Sequence, residues 1–533
     1  MGCRIRNITH CFEVFNFKSC LIKLFFAGFI ILTGVGVDAR DSRPNILFVI
    51  SDDQSYPHAS AYGSEFIDTP AFDRIADEGV LFTNAFSASP GCSPSRAAIL
   101  TGRYPWQLEE AGTHASYFPN KFTLLPDLLQ EAGYHVGYTG KGWGPGDWEA
   151  SGWERNPAGP AFQGETLNPP YRWINETDYA VNFQSFLEQR SAGEPFYFWL
   201  GTSEPHRQFE KGIGVRSGKK LEHVSVPDYL PDTPEVRSDF LDYAVEIEWF
   251  DEHLGEAIAF LEEIGELENT LIMVTSDNGM AFPRAKANLY EDGIHVPLAI
   301  RWGEQVPGGR VVSDLVSLVD VMPTILDATG VEHKGRYEMT GTSLLEILRS
   351  EKEGSMNTSR DAILSGRERH SSSRWNNLGY PQRAIRTDQY LYIRNFAPER
   401  WPAGTPRRIE NGTLSPMHSG YHDIDAAPTL EVLTSRAEDP YFNRYLYLAV
   451  GKRPAEELYD IENDPGCVIN LALNPDYSEV TERLRYRLTE MLEETGDPHL
   501  TGNPDVWESY PRLRGPMREF PVPVWAEPDE RQD

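Results

Sequence analysis

Cysteine is scarce in this sequence: five in 533 residues, three of which, Cys3, Cys11 and Cys20, lie within the first 39. The remainder keeps only Cys92 and Cys467, which excludes a disulfide-built scaffold and leaves no cysteine cluster for zinc or an iron–sulfur centre. Positive charge is also in short supply, with 49 Lys plus Arg against 80 Asp plus Glu and a formal net of −31. A binder of phosphate backbones needs a basic footprint, so no nucleic-acid partner is expected. A few converging Lys, Arg and His side chains can still make one cleft positive for an anionic substrate. Long apolar runs are missing too. The stretch LFFAGFIILTGVGV at 24–37 falls short of the ~20 residues that a comfortable transmembrane helix needs. It follows Arg4, Arg6, Lys18 and Lys23 and precedes the small residues Val37 and Ala39, the pattern of a cleaved leader over 1–39; an uncleaved anchor is the alternative. The expectation is an exported protein, periplasmic or secreted, with no stable membrane insertion once the leader is gone.

The composition that is present, 40% hydrophobic with 44 Gly and 39 Pro, describes a folded, loop-rich chain. Its length suits a large catalytic domain with a smaller companion. NILFVI at 45–50 reads as a buried strand ending at two carboxylates, Asp52 and Asp53. TLLPDLLQEAG reads as a helix ending at Gly133, YHVGYTG as a strand, 176–190 as a helix, PFYFWL at 195–200 as extended, 236–264 as a long amphipathic helix, and LIMVT at 271–275 as a strand before SDNG. This alternation predicts an α/β fold with a mostly parallel sheet covered on both faces. DLVSLVDVMPTILDATG reads as one helix ending at Gly330. Beyond it, 383–395 reads as a hairpin that EELYD at 456–460 can join, 476–494 as an amphipathic helix, and the Pro-rich tail after 500 as a surface wrap. The predicted division is a leader at 1–39, a catalytic domain at 40–370 and a C-terminal α+β subdomain at 371–533.

Three sets of residues can carry chemistry. Cys92, in ASPGCSPSRAAILTGRYP, stands at the start of a helix, where free N–H groups favour an anion. A lone cysteine is more often a small buried hydrophobe, but Pro, two Ser and Arg96 crowd this one within four positions. Asp52, Asp53, Asp277 and Asn278 sit at two predicted strand ends and make an oxygen-rich set suited to calcium or magnesium rather than zinc; taken singly, each pair is also an ordinary turn. Lys141, His206 and Lys286 follow predicted strands, where each is either a solvated loop charge or part of one anion site.

C-S-P-S-R followed by A-A-x-L-T-G-R resembles the signature of the type I sulfatases. The resemblance implies an alkaline-phosphatase-like fold. It also implies that Cys92 is oxidised by a formylglycine-generating maturation enzyme to formylglycine (3-oxoalanine), whose hydrated aldehyde is the nucleophile. It makes Asp52, Asp53, Asp277, Asn278 and the oxidised residue 92 the ligands of a divalent ion, calcium before magnesium. Arg96, Lys141, His206 and Lys286 then grip the sulfate, and His206 protonates the leaving atom. S-D-N-G-M-x-F-P-R-A-K-x-N-L-Y, with Y-P-Q-R, ELYD and NDP, looks most like the N-sulfoglucosamine sulfohydrolase branch and its bacterial relatives, which points to a sulfated mono-, oligo- or polysaccharide. Two departures stand out. The family's K-x-H histidine is replaced in Lys141-Gly142-Trp143, and Ser203 holds the place of another histidine. His114, His135 and His370 are the candidates to compensate, with His370 and Arg394 also taken as substrate-binding. WPAG at 401–404, near Arg394 and Arg400, is either a glycan-facing wall or a packed crossing between domains. Two other readings remain: a phosphate or phosphonate monoester hydrolase on the same fold, and a noncatalytic sulfated-glycan binder.

Overall fold

The strand Asn45–Ser51 is buried along its whole length, and its alternate side chains enter two separate cores. Ile46, Phe48 and Ile50 pack with Tyr197, Trp199, Leu125 and Ile325 on one face. Leu47 and Val49 pack with Phe183, Phe198, Leu254 and Ile258 on the other. A strand with helices over both faces has no solvent side to mark with polar residues, which is why its sequence is a continuous apolar run. The computed structural model describes residues 43–357, 360–513 and 518–526. The predicted leader at 1–39 lies outside them.

The main sheet has the strand order Val316–Ser317, Val80–Phe86, His295–Arg301, Thr270–Ser276, Asn45–Ser51, Phe196–Gly201, His135–Gly140, with Arg310–Val312 also paired to Val80–Phe86. His295–Arg301 is antiparallel to both of its neighbours, and every other pairing is parallel. The C-terminal ends of the parallel strands therefore share one edge. That edge is where ligands bind in open α/β sheets, because the loops leaving it are free to vary without disturbing the ladder.

The helices follow local signals. Pro234–Glu263 opens with Thr233, whose hydroxyl accepts from the Val236 N–H, and with Pro at its first position. The predicted helix over 314–330 is shorter in the structure, Val321–Thr329, and Val316–Ser317 joins the sheet instead. The reason lies in Asp320, whose buried carboxylate accepts from the N–H groups of Ser317 and Thr342 and pairs with Arg360, so the chain turns there before the helix starts.

A four-stranded antiparallel sheet, Ile363–Arg367, Gln382–Arg386, Tyr390–Asn395 and Glu456–Asp460, contains the expected hairpin and the joined EELYD strand. The helix Ser478–Glu494 buries Leu484, Leu488 and Leu492 in the same core as Leu364, Ile385 and Tyr392. The tail is more than a surface wrap: Trp507 and Phe520 are buried. Among the described residues no helix is long and apolar enough to cross a membrane.

Arg383 ties these pieces together. It is 1% exposed, its guanidinium pairs with Glu368 and Asp497, and it lies 5.1 Å from the Trp106 ring centre. An Arg383→Ala chain strands two buried carboxylates and is expected to lose roughly 3–5 kcal/mol of stability in urea denaturation. An unchanged midpoint would show that the network contributes nothing net.

Candidate active site

Strand register builds the acidic half of the site. Ser51 and Ser276 are partners in the parallel ladder, so Asp52 and Asp277 leave the sheet edge side by side. Asp53 follows in a left-handed conformation at φ 71°, which costs a non-glycine residue about 1 kcal/mol or more. Its contacts hold it there. Its N–H donates to Asp277 Oδ1 at 3.1 Å, its Oδ1 accepts from Asn278 Nδ2 at 2.8 Å, and its Oδ2 accepts from Lys286 Nζ at 2.6 Å. Gly279 next to Asn278 has no alternative, since a Cβ there would lie 1.8 Å from the Asp292 carbonyl oxygen.

Cys92 opens the helix Cys92–Thr101, every residue of which is buried. Gly91 is the N-cap in extended backbone and supplies no side-chain cap, so the first N–H groups of the helix are not met by a capping side chain. The helix is fixed by Ser95 Oγ donating to the Asp277 carbonyl at 2.5 Å and by Arg96. Arg96 is fully buried: Nε donates to Asp277 Oδ2 at 2.7 Å, and Nη1 donates to the carbonyls of Lys141 and Gly142 at 2.6 and 3.1 Å. Cys92 Sγ lies 3.8 Å from Asp53 Oδ1.

Three loops bring the remaining groups. Lys141 follows His135–Gly140, and its ammonium bonds Asp52. Lys286 sits in the loop after SDNG, with Asp425 Oδ2 3.6 Å from its Nζ, and Ala287 N–H ties that loop to the Pro90 carbonyl beside Cys92. His206 follows Phe196–Gly201. Its Nδ1 donates to the Arg207 carbonyl at 2.7 Å, which leaves Nε2 facing inward, 3.8 Å from Asp53 Oδ2. Its side chain is 35% exposed, so this imidazole stands at the mouth of the site.

The electrostatics follow from this crowding. Burial works against both lysines, but Asp52 holds Lys141 above its ordinary value and Asp53 holds Lys286 well above it, so both stay cationic. Burial would raise Asp52, yet Lys141, His206 and Arg96 keep it far below the usual carboxylate range. Burial raises Asp277 against the pull of Arg96, with Asp52 and Asp53 adding repulsion. Burial and Asp52 push the Cys92 thiol well up. An unmodified Cys92 is therefore a neutral thiol, a poor nucleophile.

The residues fit a divalent ion. Asp52, Asp53 and Asp277 each offer an oxygen, all within 4.8 Å of one another. Asp52 Oδ1 and Asn278 Oδ1 are buried without a hydrogen-bond partner, and such orphaned oxygens are what a hard cation satisfies. Asp52, Cys92 and His206 form an overlapping group with the same spacing. Three carboxylates already face three fixed cations, Arg96, Lys141 and Lys286, so an added ion would leave the site net positive, the sign that an anionic ester requires.

The compensating histidines sort themselves by position. Trp143 occupies the place of the K-x-H histidine and is structural: it is 2% exposed, its indole N–H donates to the Ser93 carbonyl at 3.0 Å, and its ring meets Phe118 edge-on. His135 is at the far end of its strand, stacked on Phe186. His114 and His370 stack at 4.3 Å beside the Cys92 helix, where a Cβ on Gly91 would lie 3.2 Å from His370 Nδ1 and 3.8 Å from His114 Cδ2. Burial lowers both, His370 to about 3, and Lys286 acts on each of them. His114 Nδ1 donates to the His370 carbonyl at 2.9 Å, which leaves its Nε2 as an acceptor.

Arg394, the other substrate-binding candidate, belongs to the small antiparallel sheet. It is in Tyr390–Asn395, opposite Arg383 and Glu456 in the ladder, with its guanidinium 4.7 Å from the Phe396 ring centre, and these contacts belong to the small sheet. Trp401 of WPAG lines a cavity of about 260 Å³ with Trp375, Trp525, Arg374, Arg400 and Lys452. Asp425 was not anticipated; its segment YHDID carries no pattern that separates it from a surface loop.

With this geometry in hand, comparison with known proteins is specific. The sulfatase family profile matches residues 44–331, and a profile described as N-sulphoglucosamine sulphohydrolase, C-terminal, matches 284–402. The chain is 28% identical over 510 residues to the human N-sulphoglucosamine sulphohydrolase, covering 88% of this chain and 93% of that protein. It is 26% identical over 480 residues to an ulvan-active sulfatase of Formosa agariphila, covering 85% and 76%. A protein solved in complex with its substrate D-glucosamine-2-N,6-O-disulfate shares the fold at a TM-score of 0.60 and 22% identity, covering 85% of this chain and 98% of that one. The phosphonate monoester hydrolase of Agrobacterium radiobacter shares it at 0.60 and 18%, covering 86% and 97%.

Proposed function

The chain belongs to the sulfatase family, and on that premise we propose that it hydrolyses sulfate ester or N-sulfate groups of a sulfated glycan, with residue 92 as the nucleophile. The observation that carries the reading is the convergence on Cys92, at a buried helix start, of four oxygen donors and three fixed cations from five separate segments. The glycan substrate is supported by the sulfated sugar in the related complex and by the sugar named in the human relative.

In this reading Cys92 is converted to formylglycine. The thiol is fully buried in the folded chain, so the maturation enzyme acts before folding is complete. The hydrated aldehyde would supply a hydroxyl in place of an inert thiol, and Asp52, Asp53, Asp277 and Asn278 would hold a divalent ion, calcium before magnesium, whose chemistry would be to supply positive charge to the sulfuryl group. Lys141 and Lys286 orient and neutralise the sulfuryl group, which needs no reorganisation because both ammonium groups are already held by carboxylates. Arg96 fixes Asp277 and the backbone of Lys141 in position. As the S–O or S–N bond breaks, His206 gives a proton from Nε2 to the departing oxygen or nitrogen. In the first half of the reaction a hydroxyl oxygen of the hydrated aldehyde would form the new bond to sulfur as the bond to the sugar breaks. In the second, the remaining hydroxyl would lose its proton, the C–O bond to the sulfated oxygen would break to release sulfate and re-form the aldehyde, and water would hydrate it again, so the net products are sulfate and the desulfated sugar. Export behind the 1–39 leader gives the enzyme access to extracellular or periplasmic glycans.

A phosphoryl substrate is the second reading, favoured by the likeness to the phosphonate monoester hydrolase. Tetrahedral anions look alike to lysine and a divalent ion. A noncatalytic binder would have no need of this donor set. A panel of N-, 2-O- and 6-O-sulfated sugars with phosphate and phosphonate monoesters distinguishes the three: release of sulfate from a sugar is expected, and turnover of phosphorus esters alone would reverse the assignment. His206→Ala is expected to lower kcat on sugar substrates by about 10²–10⁴-fold and to affect an activated aryl sulfate far less, because a good leaving group needs no proton. Equal losses on both would remove the acid role.

A further inference from the structure

The long helix Pro234–Glu263 carries a second cluster of metal-ligating side chains, outside the active site. His253 and Glu256 are one helical turn apart and face Asp178, the N-cap of Tyr179–Glu188; one ligand atom from each lies within 4.8 Å of the others. His253 is 2% exposed, and neither of its ring nitrogens has a hydrogen-bond partner. Its ring is met edge-on by Tyr179 at 5.0 Å and Trp249 at 4.9 Å. A buried imidazole with both nitrogens unmet is costly, and buried polar groups of this kind normally have a partner.

The spacing suggests what that partner is. His253 Nδ1 stands 3.6 Å from Glu256 Oε2, too far for a hydrogen bond. Two ligands of a tetrahedral ion with bonds of about 2.1 Å are separated by about 3.4 Å. Asp178 caps its helix with Oδ1, which accepts from Val181 N–H at 3.0 Å, and its second oxygen is available. Glu256 is 53% exposed and gives an ion a route from solvent.

We propose that Asp178, His253 and Glu256 form a binding site for a first-row divalent cation of the zinc class. One imidazole nitrogen with two carboxylates and room for water suits zinc better than calcium, which takes oxygen alone. The bound ion joins the start of Tyr179–Glu188 to the C-terminal half of the long helix. The adjacent Tyr179 hydroxyl donates to Glu204 Oε2 at 2.9 Å and accepts from Ser203 N–H at 3.0 Å, so the ion also braces the segment that leads into His206.

The test uses the whole protein loaded with calcium and titrated with zinc chloride by calorimetry, with elemental analysis after gel filtration. One retained zinc equivalent and a higher Tm are expected. Glu256→Gln, at an exposed position, and Asp178→Asn, which keeps the helix cap, should each weaken zinc binding at least about tenfold and reduce the Tm increase at the same zinc concentration. The proposal is overturned if no zinc is retained, if both variants bind zinc as the parent does, or if binding survives them and disappears in Asp53→Asn, which would place the zinc at the sulfatase centre.

Discussion

A Cys92→Ala chain is expected to fold as the parent does and to release sulfate at least about a hundredfold more slowly, the minimum for loss of a group that reacts with substrate. The fold should survive because the change removes one sulfur atom from a helix held independently by Ser95, Arg96 and the buried AAIL segment. The rate should not survive, because no other side chain among the described residues combines this position at the helix start with the surrounding cations. Peptide mass spectrometry of the active parent should find residue 92 about 18 Da lighter than cysteine, the difference between a thiol and an aldehyde. The two measurements constrain each other. Near-parental sulfate release by Cys92→Ala, or active protein with an unmodified residue 92, would exclude the mechanism.

Asp53→Asn should be nearly as damaging for a different reason. Asn tolerates the left-handed backbone at φ 71° and has almost the same size, so the substitution isolates charge from shape. It removes one anionic oxygen from the donor set and leaves Lys286, 5% exposed, without its 2.6 Å partner. The divalent ion should be lost on dialysis and turnover should fall at least about a hundredfold, since both the ion and the lysine act on developing charge. Elemental analysis beside the parent reads the first effect without relying on activity. A fully retained ion in the variant would remove Asp53 from the ligand set.

The central strands, and the acidic residues that gather at the sheet edge, are legible in the sequence because both are encoded locally. NILFVI and LIMVT are continuous apolar runs long enough for buried strands and too short for helices, and each is followed at once by the carboxylates that the sheet edge collects. The helix 314–330 was too long because its apolar spacing continues through Asp320, whose capping partners at Thr342 and Arg360 are not local. Which side chains of the strand Tyr390–Asn395 reach the site was not legible either. A hairpin strand shows which residues share a face, but it does not show which face meets the site.

By itself the sequence determined that Cys92 begins a helix among small and basic residues and that Asp52, Asp53, Asp277 and Asn278 stand at strand ends; the family resemblance added that Trp143 stands where a histidine is expected. Only the tertiary structure decided what those facts amount to. The register of Ser51 with Ser276 sets the carboxylates side by side, and Trp143 proves to hold the Ser93 carbonyl. The stacking of His114 on His370 beside Gly91 joins residues from separate parts of the chain. The physical reason is the range of the interactions. Helix starts and strand ends are set by neighbours within a few positions, whereas contacts across the sheet edge depend on strand order and register, which no local period specifies.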